Sequence, residues 1–543
     1  MRKQILPLLA AAALALAACS TAPTRPAGWA APEAVVAPSS FTGVHGLAID
    51  AKGRLLAGSV VGSAIWEVDR ASGAAKILIG GPEGQADDIA VGPKGELAWT
   101  NYLMGMVRMR DADDAPMRVV AKDLPGINSL DFDRRNGKLY AAQVFLGDAL
   151  WELDPAGQKP PRLIAKDLGG FNGFEVGPDG MLYGPLWFKN AVVKIDPANG
   201  AVTVINREFK IPAAANLDGK GNLYVVDTAT GELARVELAS GRKTVAARLA
   251  SALDNLAIAP DGTVYVSNMA DNAVQAYNPA TGAVRTLTSG KLAVPAGVKV
   301  DGGQLWVADI FAFRGVDLGT GAVTDIKRMH AAGSDIEYPF AVGVSSKHIA
   351  LASWFTGWVQ VMDRATRKTI ANLHGWKAPY DVIALEDGSL LVAEIATGSI
   401  IQASGADFAT RRTVTTGLAG PVQMTLGRDG AIYVTEAAGK LTRVALADGA
   451  KTEVASGLAL PEGVAQTPWG SFIVAEAAAG KLTEIDPASG QRRTVADKLP
   501  IGLSMSPGLP PPGVATGVAV DAQGNVYFSA DRNNALYRVR PQR

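Results

Sequence analysis

The chain has 543 residues, with 52 basic and 52 acidic side chains and a formal net charge of +0. Its length exceeds one ordinary core, and its make-up, 48% hydrophobic with 60 glycines and 31 prolines, suits a packed, turn-rich β protein rather than a disordered one. No basic stripe or run of Lys and Arg stands out, so nucleic acid is not an expected partner.

Residues 1–18 read as a targeting segment. Arg2 and Lys3 form its basic start, and ILPLLAAAALALAA is an apolar stretch too short for a typical membrane span of about 20 residues. It ends in Leu16-Ala17-Ala18-Cys19, which resembles a bacterial lipobox. Cys19 is the only cysteine, which excludes a disulfide within the chain and leaves lipid attachment as its evident use. The resemblance implies a bacterial envelope lipoprotein anchored through Cys19. Ser20 in the following position implies the outer membrane, facing the periplasm. Residues 19–33 then read as a Pro/Ala/Thr tether.

From there a hairpin pattern recurs, beginning with VHGLAIDAKGRLLAGS, ADDIAVGPKGELAWTN and INSLDFDRRNGKLYAAQ and ending with TGVAVDAQGNVYFSA. Twelve such units follow one another at a period of roughly 41 residues, in the range of β-propeller blades. Each continues into a third and a fourth strand, as in AVVKIDP and GAVTVIN, so each unit reads as one four-stranded antiparallel blade. Propellers have about four to eight blades. The expected architecture is therefore all-β, with two six-bladed β-propellers over residues 34–282 and 283–543. A single twelve-bladed ring is the alternative. Two stretches, EAVVAPSS at the start and AVRTLTSG at 283–290, look like spare fourth strands, each able to complete a final blade. IGLSMSPGLPPPG reads as a surface loop that could lie over one propeller face.

The repeat pattern resembles the NHL and virginiamycin B lyase-like class, and also the gluconolactonase/senescence-marker-protein class with the related paraoxonases. It covers nearly all of the chain after the leader. The likeness implies the fold, while the fold itself hosts lyases, lactonases, esterases and scaffolds.

Aligned on the turn glycine, one position at the start of the first strand holds His45, Asp87, Asn128, Asn172, Ala213 and Asp254 in the first six units. In the last six it holds Ala296, Phe340, Tyr380, Val422, Glu462 and Thr516. First strands line a propeller's channel, so these positions form a ring at each mouth, polar in the first propeller and mostly apolar in the second. Turn capping or a water-filled channel would account for Asn and Asp there. A cation site would account for them too, because carboxylate and amide oxygens on one axis suit Ca²⁺ or another divalent ion. The expected ligands are Asp87, Asn128, Asn172 and Asp254. The gluconolactonase-like family binds calcium at this ring through one Glu, two Asn and one Asp. Asn128 and Asn172 match its two Asn, whereas His45 and Ala213 stand where its Glu and Asp fall. His45, between Asp254 and Asp87 in a closed ring, has the neighbours of a general base, so His45, Asp87 and Asp254 are the catalytic candidates.

A second polar set ends the second strand of each blade: Ser59, Asn101, Gln143, Asp227 and Asn268, then Asp309, Ser353, Glu394, Glu436 and Glu476. Acids here are expected to brace turns. Asn101, Trp187 and Asn268 are candidate cleft walls, and Phe188, Trp354, Phe355 and Trp358 are further aromatics near the same mouths. The expected function is a metal-dependent hydrolase of a small lactone or ester. The alternatives are a non-catalytic propeller binding a periplasmic protein or glycan, and a virginiamycin B lyase-like lyase.

Overall fold

The protein is described here from a computed structural model, which describes residues 24–504 and 512–542. Cys19 lies outside the described residues, as do residues 505–511 of the Pro-rich loop. The strands are short because each repeat supplies a hydrophobic run bounded by Gly turns. Among the described residues they make twelve four-stranded antiparallel sheets and one two-stranded ribbon.

The first strands of six sheets are Val44–Ile49, Ala86–Val91, Ile127–Asp133, Glu175–Val176, Pro212–Leu217 and Leu253–Ile258. Each touches the next, and Leu253–Ile258 touches Val44–Ile49, so the ring closes. The first strands of the other six are Val298–Asp301, Ala341–Val344, Pro379–Ala384, Pro421–Leu426, Pro461–Gln466 and Val518–Val520. They close the same way, with Val518–Val520 against Val298–Asp301. The molecule is two six-bladed propellers, not one ring of twelve.

Strand pairing moves the expected boundaries. Val284–Thr288 is the fourth strand of the sixth blade, so the first propeller runs past residue 282. Glu33–Val36 belongs to the second propeller, as the fourth strand of the twelfth blade, paired with Ala535–Val539. Val36 is buried there with Leu292, Val307 and Leu536. Glu33 adds ion pairs to Arg538 and Arg540. The tether is also shorter than expected. Gly28–Trp29 pairs with Pro541–Gln542, Trp29 packs on Trp469, and Arg25 bonds Glu484 at 2.9 Å.

The polar residues that end each second strand act as brackets. Seventeen or so residues upstream, the loop entering the first strand has backbone groups that no ladder satisfies. Ser59 Oγ donates to the Thr42 carbonyl at 2.7 Å, and Gln143 Nε2 donates to that of Pro125 at 2.8 Å. The carboxylates of Asp227, Glu394 and Glu476 accept from the N–H groups of Lys210, Lys377 and Ala459. Asn101 and Asn268 do the same work, donating to the carbonyls of Glu83, and of Ala250 and Ser251. They are therefore loop brackets rather than cleft walls, a correction to the sequence expectation. Trp358 is likewise core, with its indole N–H on Asn372.

The two mouths built from first-strand starts face each other. Arg328 of the second propeller reaches Asp271 at 2.8 Å and the Ser251 carbonyl at 2.9 Å, and the Ala332 N–H reaches the Ala229 carbonyl at 3.0 Å. Asn272 bonds Gly43 N–H at 2.8 Å and the Ala293 carbonyl at 2.8 Å, tying both chain crossings together. At Gly43, a Cβ would lie 2.7 Å from the Phe311 ring, so the propellers approach too closely for a side chain.

Val36→Asp is expected to cost about 3 kcal/mol or more, by placing a carboxylate among buried aliphatics. Hydrogen exchange should rise in Ala535–Val539 while Leu253–Ile258 keeps its protection. Equal loss in both would show that Glu33–Val36 does not close the second ring.

Candidate functional site

In the first propeller, the inner strands begin irregularly. The ladder register shifts between Val44 and Leu47, between Ala86 and Ile89, and between Leu253 and Leu256. Such bulges turn side chains out of the pleat. They turn His45, Asp87 and Asp254 toward the mouth, and Asp88 and Asn255 into the wall below. Asp88 accepts from Leu130 N–H of the third blade at 3.2 Å and from Asn255 Nδ2 of the sixth at 3.1 Å. Gly46 makes the gathering possible, because a Cβ there would stand 2.3 Å from the Asp87 carbonyl oxygen.

The result is a tight trio. One ligating atom from each of His45, Asp87 and Asp254 lies within 4.8 Å of the others. His45 Nδ1–H donates to Asp254 Oδ2 at 2.9 Å, while Nε2 is buried without a hydrogen-bond partner. Burial disfavours the imidazolium. The charge and hydrogen bond of Asp254, with the charge of Asp87, outweigh that and hold the pKa above its usual value. Asp87 is 8% exposed and accepts no protein hydrogen bond among the described residues. Its pKa is pushed up to about 7, chiefly by burial; His45 opposes the shift and Asp254 adds to it.

These residues open on a cavity of about 80 Å³ between the two mouths. Asn128, Asn172 and Trp187 line it as well, so all the expected ring ligands and one expected cleft wall meet there. Ala213 instead packs in the hydrophobic core beside Trp187. Neither the Asn128 nor the Asn172 side chain has a hydrogen-bond partner among the described residues. Two carboxylates and two free amides with little internal satisfaction fit an oxygen-liganded divalent cation. Phe188 is 57% exposed and stands outside.

The second propeller supplies the other wall: Phe311, His330, Tyr338, Phe340, Trp354 and Phe355. Phe311 packs edge-on against His45 with ring centroids 5.4 Å apart. Its own channel mouth is filled. Trp354 stacks on Tyr380, Trp354 Nε1 donates to the Gly513 carbonyl at 2.9 Å, and the Tyr380 hydroxyl bonds the Pro512 carbonyl. The described end of the Pro-rich loop thus seals this mouth, and Val514 reaches the cavity. Sequence reasoning missed Tyr102, His330 and Tyr338. For the last two the available signal was the connection 329–340, long for this chain and carrying one of only 4 histidines.

No protein-family model matches the chain, and no curated protein matches it. Among solved structures it is similar to selenomethionine-substituted virginiamycin B lyase from Staphylococcus aureus, at 14% identity over 61% of this chain and 94% of that one, with a TM-score of 0.27. A likeness this distant carries no argument about function. The twin rings rest on their own strand pairing.

Both raised pKa values mean that the folded state holds protons more tightly than the unfolded one. Stability should then fall as pH rises, through Asp87 between about 4 and about 7 and through His45 from about 6.5 upward. In chelator, Asp87→Asn should therefore exceed wild type in stability at pH 8, by about 2 kcal/mol or more, and match it near pH 3.5. Thermal melts across pH check this; parallel profiles would mean that burial does not strain Asp87.

Proposed function

We propose that the cavity is the active site of a hydrolase acting on a small lactone or ester. The observation that carries this reading is the dyad: His45 lines the cavity, is fixed through Nδ1 by Asp254, and has no protein partner on its buried Nε2. That is the arrangement of an oriented general base. Asp254 fixes the tautomer and stabilises the imidazolium formed when Nε2 takes a proton from water. Asp87 lies close enough to add to that stabilisation. Asp87, Asn128, Asn172 and Asp254 would hold a divalent cation, which when bound would polarise a carbonyl oxygen. The aromatic walls exclude bulk water and favour a substrate with apolar surface. A scaffold reading is less well supported, because the polar mouth is turned inward and covered by the second propeller.

His45→Gln and Asp254→Asn should each lower kcat by about 10²- to 10⁴-fold on the lactone or ester that the wild type hydrolyses. Turnover in ¹⁸O-labelled water should put label in the acid product; an unlabelled, unsaturated product would favour the lyase alternative. Calcium should raise the wild-type melting temperature, since a ligand binding only the folded state stabilises it. Asp254→Ala should abolish that shift and Thr516→Ala should keep it. Equal shifts in wild type and Asp254→Ala would remove the cation from the reading.

We further infer that the protein works at a bacterial membrane through lipid on Cys19. Cys19→Ala should move it from the membrane to the soluble fraction, and unchanged membrane association would refute the anchor.

A further inference from the structure

We propose that the second propeller is a working half of the site, and that His330 hydrogen-bonds the carbonyl oxygen of the substrate through its neutral imidazole. This rests on the hydrolytic reading above and assigns a residue that the ring pattern of the first propeller does not contain.

The connection between Val323–Arg328 and Ala341–Val344 crosses the mouth of the first propeller. It is pinned there by Arg328 on Asp271 and the Ser251 carbonyl, and by the Ala332 N–H on the Ala229 carbonyl. Between and beyond these pins, His330 and Tyr338 hold φ values of 59° and 47°. Other blades turn left-handed at the same two places, as at Asp123 and Ala252, so the repeat itself fixes the backbone that presents these two rings. The His330 ring is wedged edge-on between Trp187, at 5.1 Å, and Tyr338, at 6.3 Å. Neither ring nitrogen has a hydrogen-bond partner among the described residues, and the ring lines the cavity that His45 and Asp254 line from the opposite side.

Burial pushes the His330 pKa down to about 4; the charge of Asp254 opposes that shift and His45 assists it. The ring is therefore neutral at ordinary pH, with one N–H to donate. The two histidines are thus set apart: His45, held by carboxylates, takes protons, whereas His330, held by aromatics, donates a hydrogen bond. In the step, His45 Nε2 takes a proton from water as the water oxygen bonds the carbonyl carbon. The carbonyl π electrons move onto oxygen, where the His330 N–H meets the developing charge. Collapse breaks the acyl C–O bond, and His45 returns its proton to the departing alkoxide, giving acid and alcohol.

The test uses the full chain with δ-valerolactone and p-nitrophenyl acetate as substrates, and δ-valerolactam as a carbonyl ligand that is not turned over. His330→Ala should lower kcat about 100-fold, as loss of an oxyanion donor does, and raise KM about fivefold as the ground-state hydrogen bond is lost. His330→Gln, which keeps an N–H, should recover at least tenfold of that, and lactam affinity by calorimetry should fall at least fivefold in the Ala variant only. A kcat for folded His330→Ala within threefold of wild type would overturn the proposal. If the Ala variant does not fold, the Gln variant and His330→Phe carry the same comparison. Should the wild type hydrolyse neither substrate, the hydrolase reading fails by itself. Lactam binding that depends on His330 would then still support the hydrogen bond, and equal or absent lactam binding would end it.

Discussion

Everything in this molecule depends on how its second ring is closed. A propeller made of four-stranded blades has a seam, and a strand left unpaired at the seam is an open edge. Here the last blade lacks a fourth strand of its own, and Glu33–Val36 fills the place. The described residues therefore start in the second propeller, leave it to build the first, and return. Both crossings pass the same point, where Asn272 bonds Gly43 on one and the Ala293 carbonyl on the other. With two buried connections side by side, and Phe311 packed where Gly43 has no side chain, the propellers are held mouth to mouth. The enclosed cavity follows from a seam solution rather than from any feature of the cavity itself.

Within that enclosure, backbone irregularity does the chemical placement. Regular inner strands would alternate side chains between blade interfaces. The bulged starts allow two adjacent residues to serve opposite ends of the channel. Asp87 and Asp254 face the cavity, while Asp88 and Asn255 bond each other and the neighbouring blade below. The lower pair can be satisfied within the protein. The upper pair is satisfied only in part, by His45, and that deficit is what makes the mouth a site. A carboxylate without donors keeps its proton to an unusually high pH or takes up a counter-charge.

The fold was legible in the sequence because a propeller repeats its reasons. Each blade carries its own turn glycine and apolar alternation, so twelve weak signals align into a strong one. The polar ring was legible for the same cause: alignment on the glycine brings His45, Asp87, Asn128, Asn172 and Asp254 into register, and all five line one cavity. Position within a repeat, however, says little about which way a side chain turns. Asn101 and Asn268 share the mouth-facing register yet spend their amides on loop carbonyls. Nor can a repeat pattern speak for segments outside it. His330 and Tyr338 sit in a blade-to-blade connection longer than most of its counterparts, and their relevance arises only from contact between two domains. The division near residue 282 moved for a simpler reason: Val284–Thr288 pairs with the preceding strand Ala273–Tyr277 and finishes the sixth blade in sequence.

Because Glu33–Val36 pairs with Ala535–Val539, the first propeller is topologically an insertion within the second. Its strands run without interruption from Val44 to Thr288, so it can close once that stretch is available. In the second ring, Glu33–Val36 precedes all the other blade strands, and its partner Ala535–Val539 follows them. A chain that emerges amino terminus first, from a ribosome or through a translocation pore, must keep Glu33–Val36 waiting until Ala535–Val539 has appeared. During that interval the finished first propeller presents its mouth uncovered. Assembly therefore has a built-in order, in which the half carrying His45 and Asp254 forms first and the half carrying His330 shuts over it last.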